Sequence, residues 1–182
     1  MKIDNVNSYQ GSTPELKHLL TCNFINNKFN RVDVLVIKYS IEQYLKNEKY
    51  DFYMYTKMQI YRGNQQAREL VIPRKESRIL IKRIKELIKS LEEKGIIVDT
   101  QDATRLPLST TPYFVLVNGA HRLAYMYLKK ITPISDRKEV PECQAGMIEP
   151  YDIEWFKKRF TTNELEIINN EVDELEKYLK ND

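Results

Sequence analysis

"PYFVLVNGAHRLAYMYL", residues 112–128, is the stretch on which the fold turns. Tyr113 to Val117 form a short apolar run suited to a buried strand. Asn118-Gly119-Ala120 then turns the chain, and His121-Arg122 opens a helix running to about Lys130. The first N–H groups of a helix lack intrahelical partners and, with the helix dipole, favour an anion. Gly119 puts no side chain between a ligand and the backbone. Arg122 supplies a bidentate clamp for phosphate oxygens. His121 can donate a hydrogen bond or exchange a proton near neutral pH. Leu123, Ala124, Met126, Tyr127 and Leu128 anchor the helix behind this end. The same residues also suit a plain polar turn, with Gly119 as turn residue, His121 as cap and Arg122 as surface cation.

Working outward, "RVDVLVIKY" (31–39) is a continuous β-branched run and reads as a buried strand. "SIEQYLKN" (40–47) follows as a short helix with Ser40 as N-cap. "YDFYMYTKMQIYRG" (50–63) is rich in tyrosine, and its imperfect alternation leaves strand and helix open. "SRILIKRIKELIKSLEEK" (77–94) is the clearest helix. Leu80, Ile84, Leu87, Ile88 and Leu91 share one face, and Gly95 is the expected stop. "IIV" (96–98) reads as a short strand and residues 99–111 as a polar connection. "ITPISD" (131–136) returns as a strand that Pro133 confines to an edge.

Three segments result: an N-terminal lead-in (1–30) with one short helix around Leu16, Leu19 and Leu20, a central α/β domain (31–148), and a C-terminal helical extension (149–182). In the extension, Thr161 and Glu164 have capping-box spacing. Leu165, Ile168, Val172, Leu175 and Leu179 then form a seam that docks a helix on the core or, alternatively, joins two copies of the chain. Trp155, in "DIEWFKKRF" (152–160), closes this helix over the core or contacts a partner.

Twenty-nine Lys and Arg stand against 26 Asp and Glu, a net charge of +3. No long basic run concentrates that charge, so nucleic acid is not the expected partner. Cys22 and Cys143 lie far apart, which fits a reducing cytoplasm better than a disulfide framework. No apolar run approaches the roughly 20 residues that span a bilayer, and the polar start "MKIDNVNSYQGS" has no signal-peptide core.

The order of helix ending in glycine, short strand, connection, strand and glycine-led helix resembles the ParB/sulfiredoxin-like fold. The pieces that carry the resemblance are "IKELIKSLEEKGIIV", "YFVLVNGAHRLAYMYLKK" and "RVDVLVIKYS", the last standing for the family's opening strand. The resemblance covers roughly residues 31 to 136 and implies a mixed sheet with a phosphate cradle at Gly119, Ala120, His121 and Arg122. Sulfiredoxin chemistry is disfavoured because Ala120 stands where that family carries its cysteine. The partition proteins place a glutamate there and continue into further domains, and only about 45 residues follow here.

The resemblance to stand-alone members implies a kinase that uses ATP or ADP with Mg²⁺ to phosphorylate a hydroxyl of a small molecule, such as an amino acid or sugar. Their acidic residue after the first strand maps to Glu42, with Glu48 and Asp51 next in order. His121 would assist at the phosphates. Lys57 and Arg62, with Gln59, Gln65 and Arg68, interleave with tyrosines as a substrate-facing wall or as a half-buried face with snorkelling cations. Asp99 and Asp102 are loop carboxylates within possible reach of a metal-bound nucleotide. The metal ligands are not indicated. The alternatives are a ParB-like nucleotide- and DNA-binding protein and a non-enzymatic nucleotide-binding regulator.

Overall fold

The computed structural model describes residues 15–24, 27–63, 73–96, 108–110, 116–131, 137–139, 141 and 151–181. It mixes helix and sheet, with helix predominant and two small sheets. The chain runs α1 (Leu16–Leu20), β1 (Thr21–Phe24), β2 (Asn27–Asn30), α2 (Val32–Lys46), α3 (Tyr53–Gly63) and α4 (Arg74–Lys94). It continues through β3 (Leu108–Thr110), β4 (Leu116–Asn118), α5 (Ala120–Leu128), β5 (Arg137–Glu139), α6 (Ile153–Lys157) and α7 (Thr162–Asn181).

The largest departure from the sequence reading is α2. The run 31–39, expected as a strand, is helical, and Ser40 lies buried inside that helix instead of capping a new one. A continuous apolar run carries no periodicity that separates a buried strand from a buried helix. Here Val32, Val34, Leu35, Val36, Ile37 and Ile41 are all buried, as are Asp33 and Lys38 between them, so the first half of α2 is buried on every side. Such a helix belongs in a core. It is enclosed by α5, α7 and α3, and this packing overrides the β-preference of valine and isoleucine. The resemblance to the ParB/sulfiredoxin-like fold therefore loses the strand that "RVDVLVIKYS" was to supply.

The tyrosine-rich stretch left open by its pattern is helix α3. The amphipathic helix begins earlier than expected, at Arg74 after Pro73, and ends at Gly95, whose φ of 70° suits glycine. It buries Ile84, Ile88 and Leu91, with Leu80 and Leu87 half-buried beside them. The lead-in supplies core as well: Leu16, Leu19 and Leu20 are fully buried in α1. A hairpin follows, with Thr21 opposite Asn30 and Phe24 opposite Asn27.

The second sheet has the order β4-β3-β5, with β4 antiparallel and β5 parallel to the central β3. Strand β3 lies inside the segment expected to be a polar connection. The strand expected over 113–117 is seen as β4 over its last part; residues 113–115 lie outside the described residues, as do 97–98 and 132–136.

The C-terminal extension joins the same core. Trp155, Phe156 and Phe160 are buried in an aromatic cluster with Tyr61, and Trp155 also meets Tyr151 at a ring separation of 5.2 Å. Helix α7 lays Ile168 and Leu175 against α2, so its seam docks on the core. The Thr161–Glu164 capping box forms: the Thr161 N–H donates to Glu164 Oε2 at 2.6 Å, and the Glu164 N–H donates to Thr161 Oγ1 at 3.5 Å. Among the described residues no helix is long and apolar enough to cross a membrane.

Gly119 joins β4 to α5 with a φ of 105°, a region that favours glycine. A Cβ there would collide with Leu108 Cδ2 and stand 3.1 Å from the Arg122 guanidinium. Gly119→Ala is therefore expected to cost roughly 2–4 kcal/mol, from backbone strain and overpacking together. Urea denaturation would measure this. The added cost should shrink in a Leu108→Ala background, where the collision is gone and the strain remains.

Candidate functional site

The amino end of α5 is built around one buried ion pair. The Arg31 Nε and NH2 groups donate to Asp33 Oδ1 and Oδ2, both at 2.9 Å. Asp33 is completely buried and Arg31 nearly so. The remaining arm of Arg31 donates to the Leu116 carbonyl oxygen at 3.0 Å, tying the start of α2 to β4. Burial pushes the Asp33 carboxyl upward, but the charge and hydrogen bonds of Arg31, with help from Arg62, hold it below its ordinary value. Asp33 is thus a fixed anion.

Arg62 approaches the same carboxylate, its NH1 3.7 Å from Asp33 Oδ2, and stacks over the Tyr151 ring at 4.4 Å. From the face that carries Arg62, α3 also presents Tyr55, whose hydroxyl lies 2.8 Å from His121 Nε2. Burial, then the charges of Arg62 and Arg122, push His121 down to about 4, with Asp33 opposing. The imidazole is therefore neutral at pH 7. Burial also raises the Tyr55 phenol to about 12, so the hydroxyl keeps its proton. Gln59 lies between Tyr55 and Arg62 on this face of α3, and its buried Nε2 has no hydrogen-bond partner among the described residues.

The four residues of the expected cradle stand together, though not as an open backbone. The Gly119 N–H donates to Asn118 Oδ1 at 2.7 Å, and the space beside its Cα is filled by Leu108 and Arg122. The missing side chain at 119 serves packing before it serves a ligand. Ala120 begins α5 half-buried, and burial lowers the Arg122 guanidinium.

Other expected residues are placed elsewhere. Glu42 is bound by Lys46 at 2.7 Å and Lys38 at 3.2 Å, in an ion cluster that Glu171 and Glu174 of α7 complete around Lys38. Nine residues separate Glu42 from Asp33, which on one helix is a rise of about 13 Å and half a turn of rotation. It cannot serve as base at His121. Glu48 is exposed, and Asp51 accepts the Tyr53 N–H at 3.0 Å as a local cap on α3. Lys57 points the other way from Arg62, bonded to both oxygens of Glu164 at 2.9 and 2.6 Å and lying over the Phe160 ring. It fastens α3 to α7 and is not available to a substrate. Gln65, Arg68, Asp99, Asp102 and Cys143 lie outside the described residues.

Arg31, Asp33 and Tyr55 went unread in the sequence. Once 31–39 is taken as a strand, "RVD" is merely its edge. An acidic residue two positions after an arginine, inside an otherwise apolar run, was the available signal. Cys22, in β1, is also buried and lies near Arg31.

The Mg²⁺ implied by the resemblance does not fit the side chains at this site. Both Asp33 oxygens are taken by Arg31, and among the described residues no group of three or more His, Cys, Asp or Glu is placed to hold a metal. Comparison with protein-family models, curated proteins and solved structures finds no match to this chain.

The lowered His121 value has a thermodynamic sign. A histidine whose pKa is about 6.5 unfolded and about 4 folded stabilises the fold above pH 6.5, and that contribution is lost as pH falls toward 4. His18, also lowered by burial, acts in the same sense. Stability should fall by roughly 2 kcal/mol between pH 7 and 4.5, and His121→Asn should flatten most of that slope. Chemical denaturation at a series of pH values checks this.

Proposed function

We propose that this protein binds the phosphate of a nucleotide, ATP or ADP, at the amino end of α5 and transfers a phosphoryl group to a hydroxyl of a small molecule such as an amino acid or sugar. The observation that carries the reading is the convergence of Arg62 and Arg122 on a half-buried, neutral His121 at a helix amino terminus. Asp33 offsets only part of this positive charge, since Arg31 already pairs with it in bidentate fashion. An anion arriving here meets two guanidinium groups and the positive end of a helix in a poorly solvated setting, where such charges act strongly.

Each side chain has a separate part in this reading. Arg122 and Arg62 neutralise phosphate oxygens, the main requirement of phosphoryl transfer. When the Tyr55 hydroxyl donates to His121 Nε2, the ring proton sits on Nδ1 and is available to a phosphate oxygen. The Arg31–Asp33 pair holds Arg62 and, through Leu116, the strand that leads into the turn. The unpartnered Gln59 amide adds a donor on the same side.

A ParB/sulfiredoxin-like fold is the finer architecture consistent with this proposal. Its support is the helix ending at Gly95 and the strand, glycine and helix at 116–128. Against it stands the helix at 32–46. A second reading, a nucleotide-binding regulator without catalysis, is favoured by one observation. Glu42 is remote from the turn and Asp33 is committed to Arg31, so among the described residues no carboxylate beside His121 is available as a base.

Calorimetric titration with ATP and ADP tests the site. Arg122→Ala is expected to weaken nucleotide binding by about tenfold or more, as for a lost hydrogen bond to a charged group. Unchanged affinity would remove the phosphate assignment. Release of ADP in a screen of hydroxyl-bearing amino acids and sugars would separate kinase from regulator.

A further inference from the structure

Helix α4 carries a second positively charged feature, along its exposed face. Its first twelve residues, 74–85, hold six cations against the single Glu76, a local charge of +5 in a chain whose total is +3. The remainder of the chain is therefore net acidic. These cations are not contiguous in sequence, so no basic run announces them. Helical spacing gathers five of them, all but Arg83, with Lys89: Arg74, Lys75, Arg78, Lys82, Lys85 and Lys89 fall within an arc of about 100°, beside the apolar arc that carries Ile84, Ile88 and Leu91 into the core. From Arg74 to Lys89 the row is about 22 Å long.

The row is largely uncompensated. Arg74, Lys75, Arg78, Lys82 and Lys89 are exposed. Among the described residues, Arg74, Lys75 and Arg78 have no ion-pair partner, while Lys82 and Lys89 reach Glu86 and Glu93 only at 3.8 and 3.7 Å. Lys85, half-buried, lies over the Tyr44 ring at 4.9 Å. Two of the cations, Arg74 and Lys75, also sit in the first turn of α4 beside Glu76, where the helix dipole disfavours positive charge. Stability alone gives no reason for this arrangement, and a polyanion laid along the helix does.

We propose that the outer face of α4 docks on the phosphate backbone of a nucleic acid, without reading its sequence. A linear row of cations matches a linear row of phosphates, and arginine adds bidentate contacts. An anionic bilayer is the poorer match. A helix lying on a membrane inserts its apolar face, whereas the apolar face of α4 is spent in the core, and Ile79 is its one large exposed apolar side chain among the described residues.

Fluorescence anisotropy with a labelled single-stranded DNA oligonucleotide and its duplex tests the proposal. With about six phosphates neutralised, affinity should fall by ~10³ between about 50 and 200 mM salt. The triple variant Arg74→Ala, Arg78→Ala, Lys82→Ala should lower the salt slope by about three and weaken binding at least tenfold at low salt. Far-UV circular dichroism checks that it is folded, and Lys75→Ala with Lys89→Ala serves as a milder second variant. Absence of oligonucleotide binding at low salt, equal binding by the folded variants, or capture only by phosphatidylserine vesicles would each overturn it. Nucleotide affinity at the α5 site is expected to be unchanged in these variants.

Discussion

The two parallel hydrogen bonds between Arg31 and Asp33 are the constraint on which the rest of the structure depends. They place a full charge pair in the core at the point where the β1–β2 hairpin gives way to α2. Such a pair is weak evidence of net stability, because desolvation opposes its attraction, but removing one partner leaves a buried charge uncompensated. Its value is positional. Asp33 fixes Arg31, Arg31 reaches the carbonyl of Leu116, and Leu116 begins the strand that delivers Gly119 and α5. Asp33 also draws in Arg62 from α3. Four elements are thus registered to one another by one guanidinium and one carboxylate, and the amino end of α5 acquires its electrostatic character from them.

The parts of the fold that were legible in the sequence are those whose signals are local. The amphipathic period of 77–94 and its terminal glycine, the capping box at Thr161, and the strand, glycine and helix after 113 each depend on neighbours a few residues away. Helix α2 was not legible because its apolar residues face the core on all sides, and a pattern without contrast has no period to read. The sheet suffered similarly. Strand β3 has three residues, too few for its alternation to show as a period in the sequence, and it exists because β4 and β5 pair with it.

The candidate site divides along the same line. Gly119, Ala120, His121 and Arg122 could be named because they are consecutive. Arg62 was named on composition and does converge with them; Lys57, five residues earlier on the same helix, points to another face and meets Glu164. Glu42 was misplaced by the strand reading itself, since a residue three positions beyond a strand end sits near the sheet's rim, whereas the eleventh residue of a helix lies several turns along it. Asp33 and Tyr55 act through partners about 30 and 66 positions distant in sequence, a relation that no single sequence displays.

The bond between Lys57 and Glu164 has a bearing on how the chain becomes a folded unit. Glu164 is at once the local start signal of α7 and the partner of a lysine 107 positions earlier. Its carboxylate, held below its ordinary value by Lys57 and Thr161 against the upward push of burial, can nucleate the last helix early but reaches its full set of contacts only once α3 is in place. The carboxyl-terminal helix is consequently not an independently cooperative segment appended to a finished domain. Its amide protons should share the exchange protection of α2 and α3, so that the first and last thirds of the chain open together or not at all.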